Sequence, residues 1–223
     1  MNKQLRNELV QTGRYLLDHQ LTWGNSGNLS ARSSSEDMLI TASGTELGHL
    51  DEDHFVKVSL HDGEWSSSSK PSKELPMHRA VYLARDDAHA VIHASPFWST
   101  LAACSSLEIP SNLFVESMYY VEKIAYVDYV HPGSLELGEA VEHAAAEAEV
   151  IMLRNHGVIV FDRSVKEAVM RLQTLEMTCR LLVTALQAKL SLHELDASMV
   201  EDFLNNANYK PRMNRKVGKR NGQ

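Results

Sequence analysis

Two histidines and one glutamate stand at positions where elements of the sequence begin or end. His93 closes one apolar run, His156 follows another, and Glu74 lies just before a helix predicted to start near Pro76. A single histidine at a strand end is most often a hydrogen-bonded structural residue. Two in similar contexts, with a carboxylate nearby, favour a divalent-metal site, because imidazole and carboxylate ligands suit Zn²⁺, Mn²⁺ or Fe²⁺. The sequence alone does not place the three side chains together in space.

Polar turns next to the apolar runs predict a second kind of site. Backbone N–H groups in turns rich in glycine, serine and asparagine bind anions, and serine and asparagine side chains add neutral donors. Three such turns, taken together, predict a phosphate pocket built without an arginine clamp. Its candidate residues are Asn25, Ser26, Gly27, Asn28, Ser43, Gly44, Ser72 and Lys73.

Strands and helices alternate along the chain, and these elements must position the candidate residues. Hydrophobic periodicity predicts a mixed order of the two, which indicates an α/β domain. Predicted strands cover 38–41, 55–60, 88–93, 114–118, 124–127, 150–153 and 158–161, and the longest predicted helix runs over 165–190.

The length and composition predict one folded domain. The chain has 223 residues, of which 43% are hydrophobic and 23% charged, so a single core can form without disulfide or metal staples. We predict a domain over 1–204 and a basic, flexible tail over 205–223, where six Lys or Arg occur without an acid. The formal net charge of −7 speaks against nucleic acid as a partner, because a polyphosphate requires a basic face.

The cysteines and the N-terminus predict a cytoplasmic protein. Cys104 and Cys179 have no Cys-x-x-Cys spacing, which is typical of reduced thiols in the cytoplasm. No signal-peptide pattern precedes the first predicted helix, and no apolar stretch approaches the roughly 20 residues of a membrane helix.

A serine hydrolase is also disfavoured, because the sequence has no Gly-x-Ser-x-Gly elbow.

Six segments in order carry a resemblance that covers about residues 5–190. They are GNSGNLSAR, TASGTEL, KPSKELPMHRAVY, AVIHASPFWSTLAA, HPGSLELGEAV and MLRNHGVIVF. Together they resemble the class II aldolase/adducin family. The resemblance implies a three-layer α/β/α fold around a mostly antiparallel sheet, and a homotetramer with active sites near subunit interfaces. It also implies a divalent ion, zinc first and Mn, Fe or Co otherwise, and a small phosphorylated sugar or sugar acid as substrate.

The resemblance also implies roles for single residues. Glu74 corresponds to the acid/base beside the metal, and His93 and His156 correspond to metal ligands. The eight candidate residues of the pocket correspond to the phosphate site. Tyr119 and Tyr209 correspond to tyrosine proton donors, with ordinary packing as the alternative for each. Aldol cleavage is the first reaction to consider, and epimerisation or decarboxylation is adjacent, because each passes through a metal-stabilised enediolate-like state.

Two departures from the family pattern keep alternatives open. Ser95 stands where the family has its second metal histidine, and Lys73 stands where the family has a phosphate-binding serine. Glu74 or Glu116 is then the candidate third ligand. Loss of the metal would instead make the chain a non-catalytic binding or assembly member of the fold. His78 follows Glu74 by one helical turn and is within reach of it.

Overall fold

A seven-stranded sheet forms the centre of the molecule in a computed structural model that describes residues 2–211. The strand order is β3-β2-β1-β4-β7-β6-β5, and every neighbouring pair is antiparallel except β5 and β6, which are parallel. The prediction of a mostly antiparallel sheet is therefore confirmed. The strands are β1 Asn28–Arg32, β2 Asp37–Thr41, β3 Phe55–Ser59, β4 Ala90–Ala94, β5 Ile124–Val127, β6 Val150–Leu153 and β7 Gly157–Asp162.

Helices cover both faces of this sheet. Along β7, Val158 and Val160 pack into one core cluster, whereas Ile159 and Phe161 pack into the other. This alternation follows from the two-residue period of a strand, and it explains why the strand is apolar throughout. The helices are α1 Asn2–Asp18, α2 Leu75–Ala84, α3 Phe97–Ala103, α4 Val115–Tyr120, α5 Leu135–Glu147, α6 Val165–Ala188 and α7 Ala197–Asn206.

The two faces carry different helices, which gives the predicted three layers. The cluster on one face includes residues of α1, α3, α4 and α6. The cluster on the other face includes residues of α2 and α5. None of the helices in the described part of the chain combines the length and the apolar character that a membrane span requires.

The strand predicted over 114–118 is wrong, because the chain forms helix α4 there. The Ser117 hydroxyl accepts a hydrogen bond from the Phe114 N–H at 3.0 Å and donates to the Phe114 carbonyl at 2.8 Å, which closes the first turn. A short apolar run fits a strand and a buried helix equally well, so periodicity could not decide between them.

The predicted tail boundary falls inside the last turn of α7, which ends at Asn206. Residues 207–211 follow this helix and contact the body of the domain. The Lys210 ammonium lies 3.0 Å from the Glu167 carboxylate, and the Pro211 carbonyl accepts a hydrogen bond of 2.7 Å from the Tyr119 hydroxyl. The rest of the predicted tail, 212–223, lies outside the described residues.

Candidate metal centre

Three elements bring Glu74, His93 and His156 together at one end of the sheet. Glu74 is the N-cap residue of α2, His93 lies in β4, and His156 lies in the turn between β6 and β7. Their ligand atoms all lie within 4.8 Å of one another. Glu74 Oε2 is 3.3 Å from His93 Nε2, and Glu74 Oε1 is 3.1 Å from His156 Nε2. We call these three residues the histidine cluster.

The backbone of β7 fixes the orientation of the His93 ring. His93 Nδ1 lies 3.0 Å from the Val158 carbonyl oxygen, which can only accept, so Nδ1 carries the proton. In the neutral ring Nε2 then presents a lone pair to the Glu74 carboxylate. Burial lowers the pKa of His93, although the negative charge of Glu74 opposes this effect. A bare nitrogen facing a carboxylate oxygen is stable when a cation lies between them, and this arrangement fits a divalent ion.

The turn before β7 brings His156 close to β4. Asn155 adopts the left-handed conformation with φ +57°. A Cβ at position 157 would lie 2.7 Å from the Ala94 carbonyl oxygen, so only glycine permits this approach. Glu74 Oε1 and His156 Nδ1 are buried and have no hydrogen-bond partner among the described residues. The contact between Glu74 and His156 is close but lacks hydrogen-bond geometry, as expected of two groups that share an ion.

Hydrogen bonds hold Glu74 as an oriented anion. The Ser72 hydroxyl accepts from the Glu74 N–H at 3.2 Å, and the Asn28 amide nitrogen donates to Glu74 Oε2 at 2.7 Å. Burial alone would raise the pKa of Glu74. Attraction to the protonated form of His93, contact with His156 and the hydrogen bond from Asn28 outweigh burial and lower this pKa to about 2. The carboxylate therefore stays ionised over the working range of an enzyme.

Seven of the eight predicted phosphate-site residues surround one cavity of about 340 Å³ beside Glu74. The exception is Ser26, whose carbonyl accepts a 2.6 Å hydrogen bond from the Thr22 hydroxyl within its own turn. Sequence reasoning left four residues of the wall out of the predicted phosphate site, although three of them lie beside the predicted Ser-Gly turn. The seven predicted residues are Asn25, Gly27, Asn28, Ser43, Gly44, Ser72 and Lys73, and the residues missed are Thr41, Ala42, Thr45 and Pro132.

The donors that line this cavity differ in how far they are engaged. The Asn28 amide is committed to Glu74 and to His78, to which it lies 2.5 Å away. Within residues 2–211 no hydrogen bond to another residue engages the Ser43 hydroxyl or the exposed Lys73 ammonium, so both remain available to a ligand. Phosphate binding by this set stays a prediction.

Ser95 and Glu116 do not complete the cluster within the chain. The Ser95 hydroxyl donates to the His156 carbonyl at 3.3 Å, so it supports the turn that carries His156. Glu116 lies exposed on α4, and it is not part of the group of ligand atoms. Of the two candidates for the third ligand, the structure therefore brings only Glu74 to the histidines.

Tyr119 and Tyr209 lie at the opposite end of β7 from His156. Their rings are 5.6 Å apart, and the Tyr119 hydroxyl is 3.3 Å from Arg163, which directly follows β7. Six strand residues span about 17 Å, which separates this end from the histidine cluster. Within one chain the structure does not bring the two tyrosines to Glu74. Their predicted catalytic role then requires a neighbouring copy, and it stays a prediction.

One buried and one half-buried ion pair occupy this opposite end of the sheet. Arg171 Nη2 lies 2.6 Å from Asp162 Oδ2, and Lys210 Nζ lies 3.0 Å from Glu167 Oε2. The Tyr120 hydroxyl donates to Glu167 at 2.8 Å. We call these five residues the ion-pair cluster.

The donor set and the cavity define a class of protein. Two imidazoles and one carboxylate leave coordination positions open to a substrate, and this set suits Zn²⁺, Mn²⁺ or Fe²⁺. A metal centre at the rim of a polar cavity, on a mostly antiparallel sheet between two helical layers, is the arrangement expected of a class II aldolase. The sequence profile of the Class II Aldolase and Adducin N-terminal domain matches residues 7–183, and the chain belongs to this family.

Similar proteins within the family include more than one activity. The chain is 32% identical over 186 residues to the 3-oxo-tetronate 4-phosphate decarboxylase of Escherichia coli strain K12, covering 82% of this chain and 87% of that one. It is 32% identical over 184 residues to the L-fuculose phosphate aldolase of Methanocaldococcus jannaschii, covering 82% and 98%. The solved structure of YgbL from Klebsiella pneumoniae, described as a candidate aldolase/epimerase/decarboxylase, has a TM-score of 0.85 at 31% identity, covering 91% and 99%.

Proposed function

We propose that the chain is a divalent-metal-dependent lyase that releases CO₂ from a small phosphorylated 3-oxo sugar acid. The observation that carries this proposal is the histidine cluster at the rim of a cavity with Lys73 in its wall. A divalent ion held by Glu74, His93 and His156 would supply Lewis-acid stabilisation of the negative charge that develops as the carbon–carbon bond breaks. Zinc is the first metal to test, followed by Mn, Fe and Co.

The cavity residues bind and orient the substrate in this proposal. The Ser43 hydroxyl and the backbone of the turn at Gly44 hold the phosphate, and the Lys73 ammonium neutralises part of its charge. The energy gained by binding the phosphate positions the reacting bond at the other end of the substrate. A carboxylate substrate adds a second anionic group, which gives Lys73 an alternative partner.

Glu74 moves the proton in the proposed reaction. When the bond between C1 and C2 of a 3-oxo acid breaks, CO₂ leaves and the electron pair forms an enolate with the C3 carbonyl. C2 then takes up one proton, which the Glu74 carboxylate accepts from solvent and passes on at once, so Glu74 is protonated only transiently. CO₂ departs without needing a proton, so a site whose own chain keeps its tyrosines at the far end of β7 suits decarboxylation.

Aldol cleavage is the second candidate. The Methanocaldococcus jannaschii relative favours it, because the match covers 98% of a protein named as an L-fuculose phosphate aldolase. Both reactions leave an enolate-type product in the site, so the same three residues serve either reaction. A homotetramer, as predicted from the family, would add residues of neighbouring copies and could supply the tyrosine donor that aldol cleavage uses.

A paired substrate assay separates the two candidates. Protein stripped with a chelator and reloaded with Zn²⁺, Mn²⁺ or Co²⁺ is incubated with 3-oxo-tetronate 4-phosphate, and CO₂ is measured. A parallel reaction with L-fuculose phosphate measures aldehyde. We expect metal-dependent CO₂ release from the wild-type protein. In Glu74→Gln we expect metal to be retained, because the amide oxygen can still act as the third ligand, and turnover to fall greatly, because the amide cannot carry a proton. Faster aldehyde release would favour the aldolase, and no turnover of either substrate by fully metal-loaded protein would contradict both candidates.

A further inference from the structure

A row of buried polar side chains connects the interior of the domain to Glu74. Glu74, His78 and Tyr82 lie four residues apart on one face of α2, while Asn28 and Ser30 lie two residues apart on the facing side of β1. Apart from Glu74, each of these side chains belongs to a residue that is 7% exposed or less. The four-residue repeat of α2 and the two-residue repeat of β1 place the side chains of the two elements alternately along one row.

The direction of the hydrogen bonds follows from Glu74. An ionised carboxylate only accepts, so the Asn28 amide nitrogen must be the donor over the 2.7 Å to Glu74 Oε2. The Asn28 carbonyl oxygen then faces His78 Nε2 at 2.5 Å, and His78 must donate to it. The reverse orientation of the Asn28 amide would place its oxygen against the carboxylate and would be repulsive.

The same logic fixes the remaining protons. A neutral imidazole with its proton on Nε2 accepts at Nδ1, so the Ser30 hydroxyl donates to His78 over 2.7 Å. The Ser30 oxygen in turn accepts from the Tyr82 hydroxyl at 2.9 Å. All donors in the row therefore point toward Glu74, and hydrogen bonds aligned in this way strengthen one another in a buried site.

We propose that His78 is a positioning residue, which holds the Asn28 amide in the orientation that turns the Glu74 carboxylate toward His93 and His156. The side chain of His78 bonds Asn28 and not the Glu74 carboxylate, although it lies one turn away on the same helix. Without a donor at position 78 the Asn28 amide is free to rotate, and Oε2 of Glu74 loses its fixed direction. Only the kinetic part of the test below rests on the proposed function.

The tautomer of His78 tests the proposal without metal or substrate. Two-bond ¹H–¹⁵N NMR on the full, metal-free chain reports which ring nitrogen carries the proton. We expect the His78 proton on Nε2 and an unprotonated Nδ1. A proton on Nδ1 with Nε2 bare would overturn the proposal, because Nε2 could not then donate to the Asn28 carbonyl.

Substitutions at position 78 test the consequence for the site. His78→Leu removes the donor, and His78→Gln restores a donor to Asn28 without the acceptor for Ser30. We expect His78→Leu to lose about 10- to 100-fold in Zn²⁺ affinity, measured by competition with a chromophoric chelator, and to have a lower kcat at nearly constant KM. His78→Gln should recover part of that loss. Ser30→Ala serves as the second variant if His78→Leu does not fold, with a smaller loss of the same kind expected.

A matched control separates positioning from general stability. Thr178→Val removes a buried hydroxyl whose hydrogen bond to the Thr174 carbonyl is 2.7 Å long, on α6 and away from Glu74. We expect it to lower the melting temperature without changing Zn²⁺ affinity. Equal losses of affinity in Thr178→Val and His78→Leu, or wild-type affinity in His78→Leu, would overturn the proposal. If wild-type protein turns over neither substrate, the proposed function fails, while the tautomer and the affinities still decide the role of His78.

Discussion

Ionisable side chains lie at both ends of β7, but the two sets differ in how their members are paired. In the ion-pair cluster Asp162, Glu167, Arg171 and Lys210 are matched charge for charge at hydrogen-bond distance. In the histidine cluster three electron-pair donors converge, and two buried atoms lack a hydrogen-bond partner among the described residues. Buried polar groups are normally hydrogen-bonded, so a convergence of electron-pair donors that includes a carboxylate oxygen without a partner indicates a cation or a substrate, whereas complete pairing indicates a structural role.

The largest difference between the two ends of β7 is expected when one histidine of the histidine cluster is removed. His156→Ala deletes one of the three ligand atoms and should abolish both turnover and stoichiometric Zn²⁺ binding, because two ligands hold the ion too weakly. Metal content of the dialysed protein and CO₂ release measure the two effects. Wild-type metal content in this variant would show that His156 is not a ligand and would remove the contrast between the two ends.

The corresponding change at the other end should affect stability instead. Asp162→Ala removes the carboxylate that pairs with the buried Arg171 at 2.6 Å, and we expect a loss of about 3–5 kcal/mol in the free energy of unfolding. Zn²⁺ affinity of the folded protein should not change. Urea denaturation and chelator competition measure the two quantities. A loss of Zn²⁺ affinity without a loss of stability would contradict the structural role of the ion-pair cluster.

A substitution at position 95 is expected to raise the Zn²⁺ affinity rather than lower it. Ser95→His places a third imidazole two residues after His93, and we expect Zn²⁺ affinity to rise on the order of tenfold. The Ser95 oxygen lies only 2.8 Å from where a Cβ on Gly157 would be, so Ser95→Leu is the control for crowding. Unchanged Zn²⁺ affinity in Ser95→His, in a protein as stable as Ser95→Leu, would mean that position 95 does not face the ion.

The smallest effect is expected at Tyr119. Tyr119→Phe removes the 2.7 Å hydrogen bond to the Pro211 carbonyl and should cost about 1 kcal/mol of stability. Turnover per folded chain should stay within about threefold of wild type, which is less than 1 kcal/mol in barrier height. A hundredfold fall in turnover at full metal content would instead place Tyr119 of a neighbouring copy at the site, as the family resemblance predicts.

The sequence predicted those features that depend on local pattern. Strand periodicity predicted apolar runs that end near His93 and His156. Turn composition predicted eight phosphate-site residues, and seven of them line the cavity. The role of Asn28 escaped prediction, because its amide joins Glu74 and His78 across 46 and 50 residues of sequence. Helix α4 escaped because a serine closing its first turn, not its apolar pattern, decides its conformation.

The position of the tyrosines could not be read from motifs either. Tyr119 lies on α4, whose packing against α6 and α7 is determined by tertiary contacts, and Tyr209 follows α7. Motif matching places a residue by order along the chain, whereas the distance of about 17 Å along β7 comes from the fold.

Diffraction at the zinc absorption edge, on crystals grown after loading with Zn²⁺, tests the central claim most directly. The structure predicts one anomalous peak between Glu74, His93 and His156, at about 2.0–2.2 Å from the two ring nitrogens Nε2 and from a carboxylate oxygen. Such a peak at full occupancy would identify the histidine cluster as the metal centre. Crystals with Zn²⁺ at other positions only, and with Glu74 in direct contact with a protonated His93, would contradict it.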